Sequence, residues 1–157
     1  MNIEDFKGLM DGFDPLSLLP EVSEVTASMA GIARFIVLIG PVALLVMGLV
    51  YRFATPKEAN HHLGYRTYFG MGSVEAWRYS QHLAGYAFGG LGLALAVIML
   101  VATGSFARME TMELLNRAVS CMIWEAVLSL IVYLGVNIIL IIRFDSKGEL
   151  RKNKVRR

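Results

Sequence analysis

The side chains with chemical capacity gather in one polar stretch, Asn60 to Gly85, which reads NHHLGYRTYFGMGSVEAWRYSQHLAG between long aliphatic runs. It holds His61, His62, His82, Arg66, Arg78, Glu75 and Trp77. Arg66 is a permanently charged fork of five donors, suited to bidentate capture of a carboxylate or a phosphate. An internal Arg66–Glu75 pair is the simpler account; the other gives Arg66 a lipid phosphate or a partner's acidic group. The histidines, with Glu58 and Glu75, raise the question of a metal. Adjacent His61 and His62 rarely share one ion, and no HxH or HExxH spacing is present. Glu75 and His82 lie seven residues apart on one helix face, which supplies only two ligands. We therefore expect no metal and no cofactor. There is no Gly-rich phosphate loop, no G-x-S-x-G elbow and no histidine with a clear nucleophile beside it, so no enzyme is expected. The stretch is also too short for a nucleic-acid module.

A second polar group lies in the oil. Glu125 interrupts an otherwise uncharged run, with Ser129 four residues on and Asn137 deeper in the same segment. A charge at membrane depth is costly, so Glu125 is expected to face the protein interior as a neutral acid. It is a functional candidate by default, and Ser105 or Thr103 of the preceding span is its structural alternative as a hydrogen-bond partner.

The elements that hold these groups follow from composition. The chain has 157 residues, room for one domain, and is 55% hydrophobic. Three uncharged stretches carry that excess: Phe35 to Tyr51, Leu83 to Ala107, and Ala118 to Ile142 but for Glu125. A helix rises about 1.5 Å per residue, so the longer two cover roughly 37 Å, enough for a hydrocarbon core of about 30 Å. None has the polar face that a soluble bundle helix needs. The expected fold is an all-α membrane protein with spans at 33–53, 82–107 and 118–142. An N-terminal segment (1–32), a motif loop and helix start (54–81), an outer loop (108–117) and a basic tail (143–157) complete it.

In the N-terminal segment, Asn2 caps a short amphipathic helix with Ile3, Phe6, Met10 and Phe13 on one face. Six acids and one base in the first thirty residues argue against a signal peptide. Pro41 is a candidate kink, and Thr55-Pro56 ends the first span. Gly64, Gly70 and Gly72 keep the loop irregular until Ser73 caps the next helix, with Glu75 in its first turn. Gly85 and Gly89 form a GxxxG pair, read as contact between spans of one chain rather than between two copies. Lone Cys121, inside the third span, has no internal disulfide partner.

Basic residues set the topology. The first loop has Arg52, Lys57, Arg66 and Arg78, and the tail has seven bases from Arg143 onward. These eleven stand against four on the opposite side: Lys7, Arg34, Arg108 and Arg117. The N-terminus is expected outside, with the polar stretch and tail in the cytoplasm. Glu125 then falls in the outer half, away from Arg66. The tail is expected to be a topology anchor touching anionic headgroups.

Asn60, Gly64-Tyr65-Arg66-Thr67, Met71, Glu75-Ala76-Trp77 and Gly85 resemble the signature of the SdpI family. That signature runs N-x-x-x-G-[YI]-R-T, a spacer with Met, E-A-W, and a Gly eight residues after the Trp. Three differences stand out. Tyr68-Phe69-Gly70 replace a Pro and a basic residue, Gln81 stands where the family has Asn, and the namesake has additional spans before the signature. The resemblance implies a bacterial plasma-membrane protein giving immunity to a secreted peptide toxin, or sensing it by holding a cytoplasmic regulator. The residues leave two other readings open. One is a small oligomeric transporter or channel subunit using Glu125. The other is a protein that handles lipid headgroups through Arg66, His61 and His82.

Overall fold

The computed structural model of the protein describes residues 22–59 and 62–151. The amphipathic helix expected at the N-terminus, Asn60, His61 and the tail after Arg151 lie outside the described residues.

Helix α1 spans Val22–Leu49 and closes with one π-helical turn, Val50–Ala54. Helix α2 spans Val74–Ala102 and tightens into a 3-10 segment, Thr103–Arg108. Helix α3 spans Thr111–Arg143. The segments Ser28–Ala54, Val74–Arg108 and Thr111–Arg143 are each long and apolar enough to cross a membrane. Backbone hydrogen bonds closed within each segment are what hydrocarbon demands. The outer surface agrees, since Phe35 is 70% exposed and Val101 77%. Aliphatic and aromatic side chains cover it in a belt that water would not tolerate and lipid does.

The chain runs up, down and up. Gly48 of α1 meets Gly85 and Gly89 of α2, while Pro41 and Leu45, earlier in α1, meet Gly92 further along α2. Opposite numbering along one seam means antiparallel helices. A Cβ at Gly48 would strike the backbone of Gly89, so the helices touch main chain to main chain. Dispersion at that distance, rather than water exclusion, holds spans together in lipid. The GxxxG pair is therefore spent inside the chain. Helix α1 continues through the buried Pro41, whose carbonyl oxygen lies against Gly92. The far connection is short: α3 starts at Thr111, so residues 111–117, assigned to an outer loop from their charges, are helical. Glu113 in the first turn of α3 complements the helix dipole, which is why charged residues there stay helical.

Two apolar clusters fill the bundle. The far one joins Ala30, Val37, Leu95, Met99, Phe106, Leu114, Ala118 and Cys121. The near one, on the face that carries the polar loop, joins Tyr65, Ala76, Ala84, Phe88, Val136, Leu140 and Phe144. The segment after α3 also belongs to that face. Phe144 is 1% exposed and pairs with Leu150 in an isolated antiparallel bridge around a turn at 145–149. Asp145 organises the turn, its Oδ1 accepting from the backbone of Lys147 (2.9 Å) and Glu149 (2.8 Å). Ser73 Oγ donates to the Gly148 carbonyl at 2.6 Å, tying this strap to the start of α2. The first part of the basic tail is thus folded onto the motif face.

Candidate functional site

The loop is built around Tyr65. Its ring stands among Tyr51 of α1 (5.8 Å between centroids), Phe88 of α2 (5.8 Å) and Tyr133 of α3 (6.1 Å), so one loop residue touches all three helices. Edge-on and tilted rings at these separations attract through their quadrupoles. The Tyr65 backbone has no helix or strand to pair with, and Gln81 of α2 supplies both partners. Gln81 Oε1 accepts from Tyr65 N at 2.7 Å, and Gln81 Nε2 donates to Tyr65 O at 2.9 Å. A carboxamide is the side chain that can satisfy an N–H and a C=O together. The phenol reaches into the bundle, accepting from Asn137 Nδ2 at 2.9 Å and donating to the Tyr133 carbonyl at 3.4 Å. Burial, with Tyr133 beside it, pushes the Tyr65 phenol from its usual 10 up to about 12, against the opposing pull of the Asn137 hydrogen bond.

The flanking motif residues serve the same end. Gly64 has φ +124°, and a side chain there would run into the Trp77 ring and Thr55. Trp77, fully buried, donates its indole N–H to the Pro56 carbonyl at 2.9 Å, which pins the first half of the loop. Thr55 Oγ1 donates to the carbonyls of Tyr51 (2.8 Å) and Val50 (3.2 Å), satisfying orphans at the end of α1. Thr67 Oγ1 accepts from Gly70 N at 3.1 Å and folds the turn that leads through Met71 to Ser73. Ser73 caps α2, accepting from Ala76 N at 3.0 Å.

This scaffold brings Arg66 to the mouth of a groove between α1 and α3 of about 580 Å³, lined also by Met47, Tyr51, Tyr65, Ser129 and Tyr133. A second hollow, about 460 Å³, continues it, sharing Met47 and Ser129 and reaching Glu125. Glu125 is 7% exposed, and its Oε1 has no hydrogen-bond partner. The carboxyl enters a notch that exists because Gly40 has no side chain. It faces α1, not α2: Thr103 bonds to the Met99 carbonyl (2.7 Å) and Ser105 to that of Ala102 (3.4 Å). Ser129 likewise donates to the Glu125 main chain, at 2.7 Å. The sequence separates Arg66 from Glu125, yet they line adjoining hollows that share Met47 and Ser129.

Glu75 lines a surface depression with Arg78, Tyr79 and His82, whereas Arg66 lines the groove. His62 is exposed on the loop, while His82 sits beside Arg78 on α2. Among the described residues no three His, Cys, Asp or Glu side chains converge on a cation site. Asn137, a polar residue at membrane depth, is occupied with Tyr65 and the Tyr133 carbonyl (2.8 Å). No protein-family model matches the chain, and no curated protein and no solved structure matches it either.

Proposed function

We propose that the chain is a non-enzymatic, SdpI-like integral membrane protein of the bacterial plasma membrane that gives immunity to, or senses, a secreted membrane-active peptide. The observation that carries this reading is the groove between α1 and α3, lined by apolar and aromatic residues and by Arg66. An amphipathic peptide lying in a bilayer offers an apolar face for such a groove and polar or acidic groups for a guanidinium at its end. The loop that presents Arg66 is braced on all three helices, so binding would require little ordering of the protein. Positive charge favours placing the loop and strap in the cytoplasm, where a bound regulator would read the occupied state.

Expression in a peptide-sensitive bacterium tests this. The wild-type chain should raise survival under secreted amphipathic peptides, and Arg66→Lys, which retains charge but not the fork, should lower it. Sensitivity equal to vector controls across a panel of such peptides would refute the reading.

One observation favours a second reading, an oligomeric transporter or channel subunit: the buried, unpartnered Glu125 Oε1 in the adjoining hollow. Unchanged flux through Glu125→Gln proteoliposomes would remove its support.

A further inference from the structure

Where α1 ends and α2 begins, a small hollow of about 160 Å³ is lined by Arg52, Lys57, Arg78, His82 and Gln81 among others, and by Tyr51, which also borders the groove. We infer that this hollow is a binding site for a phosphate group, independent of the groove and of the proposed immunity role. Three formal positive charges and a histidine converge there, and no acid lines it. Glu75 shares an adjoining depression with Arg78 and His82 but does not line the hollow, so the lining groups are of one sign and an oxyanion would offset them. The partition is built from two segments. Arg78 and His82 stand at i and i+4 on one face of α2, while Arg52, at the end of α1, and Lys57, just past Thr55-Pro56, line the hollow from the other segment.

The hollow is small, about 160 Å³ against about 580 Å³ for the groove, and its charged lining suits a compact oxyanion better than a fatty chain. Depth selects its source. The Arg52 guanidinium lies 5.1 Å from the Phe53 ring and 5.5 Å from the Tyr86 ring, and its Nε donates to the Tyr86 hydroxyl at 3.3 Å. Arg52 therefore runs from the hydrocarbon boundary up to the polar layer, as snorkelling bases do. Phe53, 75% exposed, and Tyr86, 66% exposed, offer an apolar platform beneath the hollow for the chains of a phospholipid. A basic pocket between spans at headgroup level is how membrane proteins retain an anionic lipid. No described strap residue lines the hollow, and Arg143, the last residue of α3, stacks on Tyr79 at 4.3 Å.

Native mass spectrometry of the full chain, released from mixed micelles of equal dioleoylphosphatidylglycerol and dioleoylphosphatidylcholine, tests the site. The wild type should retain phosphatidylglycerol selectively. Neutralising Arg52, Lys57 and Arg78 to Gln should weaken that retention roughly tenfold or more, since each charge-assisted contact to phosphate is strong. Neutralising Arg108, Arg117 and Lys147, an equal charge change elsewhere, should leave it intact. If the triple variant does not fold, the pair Lys57→Gln and Arg78→Gln, both on exposed side chains, carries the same expectation. A second arm adds inorganic phosphate to phosphatidylcholine-only micelles and, separately, to the mixed micelles. Phosphate retained by the wild type and lost in the triple variant makes free phosphate the source, whereas lipid retention insensitive to added phosphate makes it the headgroup. Equal phosphatidylglycerol retention by wild type and basic-hollow variants overturns the proposal.

Discussion

The two ends of the bundle are held together by different physics. The far end, around Leu95, Phe106 and Leu114, is an apolar contact whose described members fit by shape. The near end contains the same kinds of aliphatic residue, but Tyr65, Gln81, Trp77, Asn137 and Ser73 superimpose a set of directed hydrogen bonds. Shape alone tolerates sliding and repacking, while directed bonds specify one arrangement and are costly to break. The contrast teaches that most of the motif is scaffold. Among the described residues, Gln81, Trp77, Thr67 and Ser73 hold the loop, and Tyr65 and Arg66 border the groove.

The hardest test of that contrast is Gln81→Leu. The substitution keeps the volume but strips both partners from the buried Tyr65 backbone, and each orphaned group costs about 1–3 kcal/mol. The total of about 2–6 kcal/mol rivals the stability of a small domain. We expect loss of the folded state in detergent, or a loop that protease cuts while the far end stays protected. Leu128→Ala, a half-buried neighbour of the far cluster, should lower the melting temperature without opening the loop. Equal protease resistance of wild-type and Gln81→Leu loops would show that the near end, too, is held by shape.

Gly48→Ala strikes next, at the seam both ends share. The new methyl would meet the main chain of Gly89, which cannot rotate away as a side chain can. Overpacking costs about 1–3 kcal/mol, and a backbone neighbour places this change at the upper end. Gly135→Ala on α3, with nothing within 4 Å, is the matched control and should leave the melting temperature unchanged or slightly raised. Comparable losses in both variants would mean that the seam is looser than drawn.

What could be read from the sequence divides along the same line. Three helices able to cross a membrane follow from run length and absence of charge, properties of each segment alone. Ser73 as an N-cap is equally local. Partnerships were not legible. Asn137 and Tyr65 are 72 residues apart, and nothing in either neighbourhood names the other. Glu125 has a depth in its helix, but the spacing does not say whether α1 or α2 lies opposite. Gly40 decides it, and a glycine in a span has many uses. Arg52, Lys57 and Arg78 count toward topology when read in a line, and line one hollow with His82 only once α1 and α2 are antiparallel. The strap was hidden because its basic composition reads as a tail, although Asp145 and Gly148 are turn residues.

The smallest effect sharpens the comparison most. Tyr65→Phe keeps the ring among Tyr51, Phe88 and Tyr133 and removes only the hydroxyl, while Asn137 retains the Tyr133 carbonyl. The loss should be about 0.5–1.5 kcal/mol at neutral pH. Alkali gives it a signature. The folded-state value of about 12 lies above the usual 10, so the unfolded chain releases this proton first as pH rises. Stability from the neutral phenol is then fully present below pH 10 and is lost as pH climbs through 12. Other groups titrate in that window, so the measurement is the difference between wild type and Tyr65→Phe in thermal unfolding followed by near-ultraviolet circular dichroism. The wild type should lose its advantage across the interval as the variant declines less steeply. Parallel decline of the two would mean that the phenol is no better sheltered in the folded protein than in the unfolded chain. The near end would then resemble the far end, fitted by shape with a hydroxyl that contributes nothing directed.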